Sequence, residues 1–157
     1  MQYRMKTHSL SEERLNDLLS RAQTGCLATL NADGTPYNTP VHFVYINGSI
    51  YVHGLPKGQK IDNILHDRKV GFTVYDMQEL LFDASGKPCD TNTKYESIIA
   101  TGSAALVKDI GEKKMVLQKI VEKYTPNLTN VPLPENMVRG TAVIRISVVE
   151  LTGKYYE

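Results

Sequence analysis

The feature that most restricts the fold of this chain is the alternation of apolar and polar residues with a period of two. Residues 36–46 and 49–53 alternate in this way, and the pair Asn47-Gly48 lies between them. Such alternation is typical of a β-strand with one buried face, and an Asn-Gly pair favours the tight turn of a two-residue hairpin. The sequence therefore predicts an antiparallel hairpin at this place in the chain.

Further segments show the strand pattern. We predict strands at residues 26–30, 69–75, 95–107 and 141–151, which makes six with the hairpin. Small residues inside the strands, such as Gly71 and Gly102, permit the tight curvature of a closing barrel. Residues 76–93 are rich in turn-forming residues and are predicted to be an irregular loop. Pro40 cannot donate to a ladder, so its strand is expected at an edge or with a bulge.

Three segments have the period of amphipathic helices. The first follows a cap at Ser9 or Ser11 and ends at Gly25, the second follows Gly58, and the third is capped by Asp109. A proline-rich connection leads from the third helix to the last strand. The chain has 157 residues, which suits one domain with a single core. The sequence thus predicts one mainly β domain over residues 1–157, a six-stranded antiparallel barrel with peripheral α-helices.

The composition argues against several classes of function. The formal net charge is +1, so no global basic field attracts nucleic acid or anionic lipid. No apolar run approaches the roughly 20 residues of a membrane span, and the N-terminal segment lacks the apolar core of a secretory signal. Cys26 and Cys89 do not make a disulfide framework. We expect a cytoplasmic protein without nucleic-acid or membrane partners.

Histidine and serine patterns do not indicate a metal site or a hydrolytic site. None of the four histidines forms a metal-spaced pair, and G-x-S-x-G is absent from the sequence. No metal site is predicted. His42 and His53 lie on the two strands that the Asn-Gly turn pairs, so we expect them to be neighbours.

The segment HGLPKGQK, residues 53–60, ends a strand and leads into a helix. A helix N-terminus presents free amides and a partial positive charge, and Gly58 would let an anion approach the backbone closely. Lys57 and Lys60 add full charges. The pattern lacks the Walker spacing and allows two interpretations: a phosphate site, or a turn with solvated lysines.

The order of these segments resembles that of a known family. An N-terminal helix is followed by GCLATLNADGTPYNTPVHFVYINGSIYVHGLPKGQKIDNIL, KVGFTVYD, PCDTNTKYESIIATGSAALV and TAVIRISVVELTGK. Over residues 9–154 this series resembles the pyridoxamine-phosphate-oxidase-like flavoproteins with the FMN-binding split barrel, and within them the nitroimidazole-resistance group. The turn H-G-x-x-x-G-x-K and the run C-x-x-x-T-x-Y-x-S occur in the family's order.

The resemblance implies a homodimer with two FMN molecules in clefts shared by the protomers. Residues 39–43 would lie beside the isoalloxazine ring, residues 53–60 would hold the phosphate, and residues 95–97 would reach the cofactor from the partner chain. The residues assigned to the cofactor are Thr39, Pro40, Val41, His42, Phe43, His53, Gly54, Gly58, Gln59, Lys60, Thr93, Tyr95, Glu96 and Ser97. His53 is also expected to act as the general acid.

The implied activity is FMN-dependent reduction of a small aromatic or nitro compound with NAD(P)H as the donor. Vitamin synthesis is not expected, because Arg139 and Arg145 are isolated and no basic cluster is present for a substrate phosphate. Two alternatives stay open from the sequence. One is a flavin- or haem-binding protein of the same fold without turnover, and the other is a barrel with no cofactor.

Overall fold

The computed structural model describes residues 6–157, and seven strands in this part of the chain form one antiparallel sheet. The strands are β1 (Gly25–Leu30), β2 (Pro36–Val41), β3 (Phe43–Ile46), β4 (Ser49–Gly54), β5 (Lys69–Leu81), β6 (Asn92–Leu106) and β7 (Ala142–Tyr156). Along the sheet they follow the order β2-β1-β5-β6-β7-β4-β3. The predicted mainly β split-barrel architecture with peripheral helices is confirmed, with seven strands in place of six.

The helices lie around this sheet. They are α1 (Glu12–Arg21), α2 (Gln59–His66), α3 (Ile110–Tyr124) and α4 (Glu135–Gly140). Ser11 caps α1 by accepting a hydrogen bond from the Arg14 amide, and Asp109 caps α3 by accepting one from the Glu112 amide. The prediction that α1 ends at Gly25 is wrong, because Gly25 begins β1. Helix α4 lies partly in the segment that was predicted to be a proline-rich connection.

The strand predicted at residues 36–46 is in fact two strands that part at His42. Strand β2 pairs with β1 at one edge of the sheet, and β3 pairs with β4 at the other edge. One continuous stretch of chain therefore serves both edges, which bends the sheet towards a barrel. Pro40 lies in an edge strand, as predicted.

The loop predicted at residues 76–93 is largely a two-stranded ribbon. Asp76 pairs with Glu96, and the pairing continues to Leu81 and Asn92 with an irregularity between Met77 and Glu79. Both faces of the ribbon carry polar side chains, so the alternation that marks a half-buried strand is lost here. Backbone pairing between β5 and β6 makes this segment a strand ribbon, although its residue composition is typical of a loop.

The core lies inside the curved sheet and is closed by α1 and α2. Its completely buried side chains include Leu18, Leu19, Leu27, Phe43, Ile50, Phe72, Ile98, Ile144 and Ile146. A smaller cluster joins α3 to the sheet through Val44, Tyr51, Val107, Val116, Ile120 and Val143. This second cluster matters for the site, because it brings the C-terminal end of α3 beside the crossover from β2 to β3.

Among residues 6–157, no helix combines the length and the apolar character that crossing a membrane requires.

Candidate functional site

A cavity of about 400 Å³ lies where the β2–β3 crossover, the end of β4 and the start of α2 meet. Its walls are formed by Thr24, Pro40, Val41, His42, His53 and Lys60. The structure thus brings together predicted site residues from three separate segments of the chain. The predicted proximity of His42 and His53 is confirmed, since both line this cavity.

The crossover is held in place by Tyr124 at the end of α3. The Tyr124 ring stacks on the His42 ring, with 4.3 Å between centroids and 19° between planes. Its hydroxyl accepts a hydrogen bond from the Phe43 amide at 2.9 Å. The same hydroxyl can donate to the carbonyl oxygen of Gln23 at 2.9 Å or to that of Phe43 at 3.1 Å. Tyr124 was predicted only as part of the buried stripe of its helix, and its role here was missed.

His53 lines this cavity and carries a buried ring nitrogen. Its ring is partly buried, and its Nδ1 is the buried side-chain atom that has no partner within residues 6–157. Burial, together with the nearby His42 and Lys60, lowers the pKa of His53 below its usual 6.5. The imidazole is therefore neutral near pH 7, with one nitrogen that donates and one that accepts. A buried nitrogen without a partner costs free energy.

The start of α2 supplies the positive end of the cavity. Gly58 caps the helix with φ at 130°, a backbone conformation that favours glycine. Its carbonyl oxygen accepts hydrogen bonds from the amides of Ile61 and Asp62. The amides of Gln59 and Lys60 precede these in the first turn, where no helical acceptor exists for them. Two backbone donors and the helix dipole therefore point out of this end of α2.

Lys60 brings a full charge to the same place. A Cβ built at Gly54 would lie 3.4 Å from Lys60 Nζ, so the ammonium group rests over the glycine at the end of β4. Within residues 6–157, none of the ion pairs involves Lys60. A lysine without a carboxylate partner, next to free helix amides, forms a site that an anion can occupy.

Buried Asn63 anchors α2 in this orientation. Its side-chain amide donates to Thr29 Oγ1 at 2.9 Å and to Asn31 Oδ1 at 3.0 Å, both on or next to β1. Its own oxygen accepts a hydrogen bond from Gln59 Nε2 at 2.8 Å, so the Gln59 side chain is engaged within the helix. This network between α2 and β1 was not predicted from the sequence, because the residues that it joins are more than 30 positions apart in the chain.

Other predicted site residues lie away from the cavity within one chain. Tyr95 and Ser97 line a different cavity of about 300 Å³. Glu96 points to the opposite face of β6, where its buried carboxylate pairs with Arg14 at 2.6 Å and Arg21 at 2.5 Å. Because both of its oxygens are engaged by arginines of its own chain, the expectation that Glu96 contacts the cofactor loses its support.

Three further residues that were predicted to contact the cofactor, Thr39, Thr93 and Phe43, are not among the residues that line this cavity. The Thr39 hydroxyl faces the carbonyl of Leu27 at 3.5 Å, and Thr93 lies on β6 opposite Leu80. The Phe43 side chain is completely buried in the core, and its backbone amide is taken by Tyr124. Phe43 is therefore part of the support of the cavity and is not among the residues that line it.

The arrangement suits an anionic ligand with a flat, partly apolar body. Lys60 and the α2 amides provide the positive end, Pro40 and Val41 provide an apolar wall, and His53 provides a neutral donor or acceptor between them. Within residues 6–157, no three His, Cys, Asp or Glu side chains are placed to hold a metal ion together. The chemistry that these residues fit is that of a phosphate-bearing organic cofactor.

Residues 11–155 match the family model described as pyridoxamine 5'-phosphate oxidase. This chain belongs to the pyridoxamine 5'-phosphate oxidase family. The match spans nearly the whole chain, which confirms the resemblance drawn from the segment order. None of the curated proteins matches the chain.

Solved structures share the fold of this family member at low sequence identity. A candidate 5-nitroimidazole antibiotic resistance protein from Bacteroides thetaiotaomicron is 24% identical, with a TM-score of 0.82 over 94% of this chain and 86% of that one. The flavocytochrome Anf3 from Azotobacter vinelandii is 21% identical, with a TM-score of 0.84 over 99% and 72%. An FAD- and haem-binding protein from Mycobacterium smegmatis is 17% identical, with a TM-score of 0.83 over 94% and 72%. The fold therefore occurs in proteins named for flavin and for haem.

Proposed function

We propose that this chain binds FMN in the cavity between the β2–β3 crossover and α2. In this proposal it is an FMN-dependent oxidoreductase that reduces small aromatic or nitro compounds with NAD(P)H. The observation that carries the proposal is the meeting of Lys60, the N-terminus of α2 and His53 in one cavity. Membership of the family and the flavin-binding structural neighbours support it.

Each part of the cavity has a proposed role toward FMN. Lys60 and the backbone amides at the start of α2 would hold the phosphate, and Gly58 would let it come close. Strand β2 is an edge strand, so half of its backbone groups lack ladder partners and would meet the polar edge of the isoalloxazine ring. Pro40 and Val41 would pack beside that ring.

His53 is the proposed proton donor. Because its pKa is lowered, His53 is mostly unprotonated at neutral pH when the cavity holds no anion, and little imidazolium is present to donate a proton. A phosphate dianion beside it would favour the imidazolium form and raise that pKa again. FMN supplies the redox chemistry when bound, and the chain binds it, orients it and controls its access to water.

The proposal includes a homodimer in which Thr93, Tyr95 and Ser97 reach the partner's cofactor. The ribbon of β5 and β6 and its tip carry large exposed apolar side chains, and these are Tyr75, Met77, Leu80 and Phe82. Apolar groups of this kind on one surface are typical of protein interfaces. Sedimentation that gave only monomer at micromolar concentration would contradict the shared cofactor site.

An absorption spectrum of the purified protein, before and after addition of FMN, tests the proposed cofactor. The two flavin bands are expected, followed by bleaching under anaerobic NADH or NADPH and reoxidation by a nitroaromatic acceptor. His53→Ala should retain flavin and lower turnover, and unchanged turnover would remove His53 from the mechanism. A colourless protein that does not take up FMN would contradict the proposal.

A second candidate function is binding of flavin or haem without turnover. The observation that favours it is the neutral His53 in the wall of the cavity, since a neutral imidazole is a suitable axial ligand for haem iron. Two structural neighbours are a flavocytochrome and a haem-binding protein. A Soret band in the isolated protein, or after addition of haemin, would decide for this candidate.

A further inference from the structure

A separate cavity of about 520 Å³ lies between α1, β3 and α3. Among residues 6–157, it shares no lining residue with the proposed flavin cavity. Asn16, Ser20 and Gln23 give it a polar wall, and Lys123 reaches it from the last turn of α3. The proposed FMN chemistry uses none of these residues.

The amine of Lys123 is held in a defined position. Its Nζ donates a hydrogen bond to the carbonyl oxygen of Leu19 at 3.0 Å, and it lies 3.9 Å from the centroid of the Phe43 ring. Within residues 6–157, no carboxylate forms an ion pair with it. Burial without a compensating negative charge lowers the pKa of Lys123 to about 8. An appreciable share of this amine is therefore unprotonated near neutral pH.

The other charged groups that line this cavity are already paired. Helix α1 contributes Arg21, which is held by Asp17, Asp76 and Glu96. Helix α3 contributes Lys119, whose Nζ lies 2.7 Å from Glu122 Oε2. Strand β3 contributes the Tyr45 phenol, and the Tyr124 ring lies 5.5 Å from Lys123 Nζ. Among the described residues 6–157, no carboxylate pairs with Lys123, in contrast to Lys119 of the same lining.

We propose that Lys123 is a nucleophilic amine that condenses with a small polar aldehyde or ketone bound in this cavity. The Nζ lone pair attacks the carbonyl carbon, and proton transfer from nitrogen to oxygen gives a carbinolamine. Loss of the former carbonyl oxygen as water leaves an imine between Nζ and the ligand. No oxidant or reductant is consumed. Lysines desolvated in this way are the ones that form such imines in proteins.

Asn16, Ser20 and Gln23 would meet the polar remainder of the ligand. The same Lys123 contacts also stabilise the C-terminal end of α1, where a cation is favourable. A purely structural role and a reactive role make different predictions. The structural role needs only the positive charge, whereas the reactive role needs a lone pair on nitrogen.

Reductive trapping tests this directly on the full chain, with and without FMN. The protein is incubated with glyoxylate and cyanoborohydride across a pH series, and peptide mass spectrometry gives the rate at each lysine. A fall in pKa from 10.5 to about 8 raises the unprotonated share at neutral pH by on the order of a hundredfold. We expect Lys123 to be carboxymethylated at least about tenfold faster than the exposed Lys57, with a midpoint near pH 8.

Two variants complete the test. Lys123→Arg keeps the charge and should remove the fast-labelled site, while Lys119→Arg in the same cavity should leave it unchanged. Labelling of Lys123 no faster than that of Lys57, or with the same pH dependence, overturns the proposal. The labelling rates of the lysines in the unsubstituted protein test the proposal even if Lys123→Arg fails to fold. Because the readout needs no flavin, its outcome is independent of the proposed FMN site.

Discussion

The rings of His42 and Tyr124 are stacked with 4.3 Å between their centroids, although the two residues are far apart in the sequence. His42 is where the chain leaves one edge of the sheet for the other, and Tyr124 is the last residue of α3. The packing of α3 against β3 and β4 therefore fixes one wall of the proposed flavin cavity. A substitution in this helix should therefore alter the position of the crossover, although none of the described lining residues belongs to the helix.

Tyr124→Phe should destabilise the fold while keeping the stacking surface. The change leaves the Phe43 amide without its acceptor, and a buried unsatisfied donor costs about 1–3 kcal/mol. Urea unfolding measures the loss. Tyr75→Phe is the matched control, because Tyr75 is largely exposed and should change the free energy of unfolding by less than about 0.5 kcal/mol. Equal effects of the two variants would show that the hydroxyl of Tyr124 is not structural.

Gly58→Ala should destabilise the start of α2, whereas Gly140→Ala should not. A Cβ meets nothing within 4 Å at either glycine, so steric contact does not distinguish them. Only Gly58 has a positive φ, which costs an alanine about 1–3 kcal/mol. Thermal melts of both variants measure the difference. A Gly58→Ala protein as stable as Gly140→Ala would mean that the cap does not require glycine.

Glu96→Gln should lower stability without weakening FMN binding. Its carboxylate is buried between Arg14 and Arg21, and loss of that charge should cost about 1–3 kcal/mol. The exposed pair of Glu135 and Arg139 gives the control, since Glu135→Gln should cost less than about 0.5 kcal/mol. FMN titration of folded Glu96→Gln should match the unmodified protein within about twofold. A larger loss of affinity would return Glu96 to the cofactor site.

His53→Gln should make the stability of the protein less sensitive to acid. The folded-state pKa of His53 lies below its unfolded value of 6.5, so the unfolded state binds more protons between the two values. Stability from this residue is present above pH 6.5 and is lost as the pH falls through that window. Urea midpoints at about pH 7.5 and about pH 5.5 measure the loss. A His53→Gln protein that retained the full acid sensitivity would contradict the shifted pKa.

Local signals in the sequence predicted the parts of the fold that local physics decides. The Asn47-Gly48 turn has φ of 48° and 78°, which is the geometry that the pair favours between two strands. Ser11 and Asp109 cap their helices through their own side chains. The turn from His53 to Lys60 also carries its signal locally, because a glycine cap and a lysine in the first helical turn are visible in the sequence.

Other features depend on partners that are distant in the sequence. The alternation of apolar and polar residues across residues 36–46 is the same on both sides of His42. The division into β2 and β3 is visible only from their different partner strands, β1 and β4. The support from Tyr124 to Phe43 spans 81 positions, and that from Asn63 to Thr29 spans 34. Glu96 was placed at the site by its neighbours in β6, yet alternation turns it to the opposite face. Tertiary packing decides each of these relationships.

The most direct test of the proposed function compares FMN with riboflavin, which differ by the phosphate alone. Fluorescence titration should show that FMN binds far more tightly than riboflavin. Lys60→Glu should reduce FMN affinity at least about tenfold and leave riboflavin affinity nearly unchanged, since one charged contact contributes roughly 1.5–3 kcal/mol. Lys57→Glu, at an exposed position in the bend before the helix, is the control. Equal affinities for the two flavins, or an FMN affinity that Lys60→Glu does not alter, would contradict a phosphate site at the start of α2.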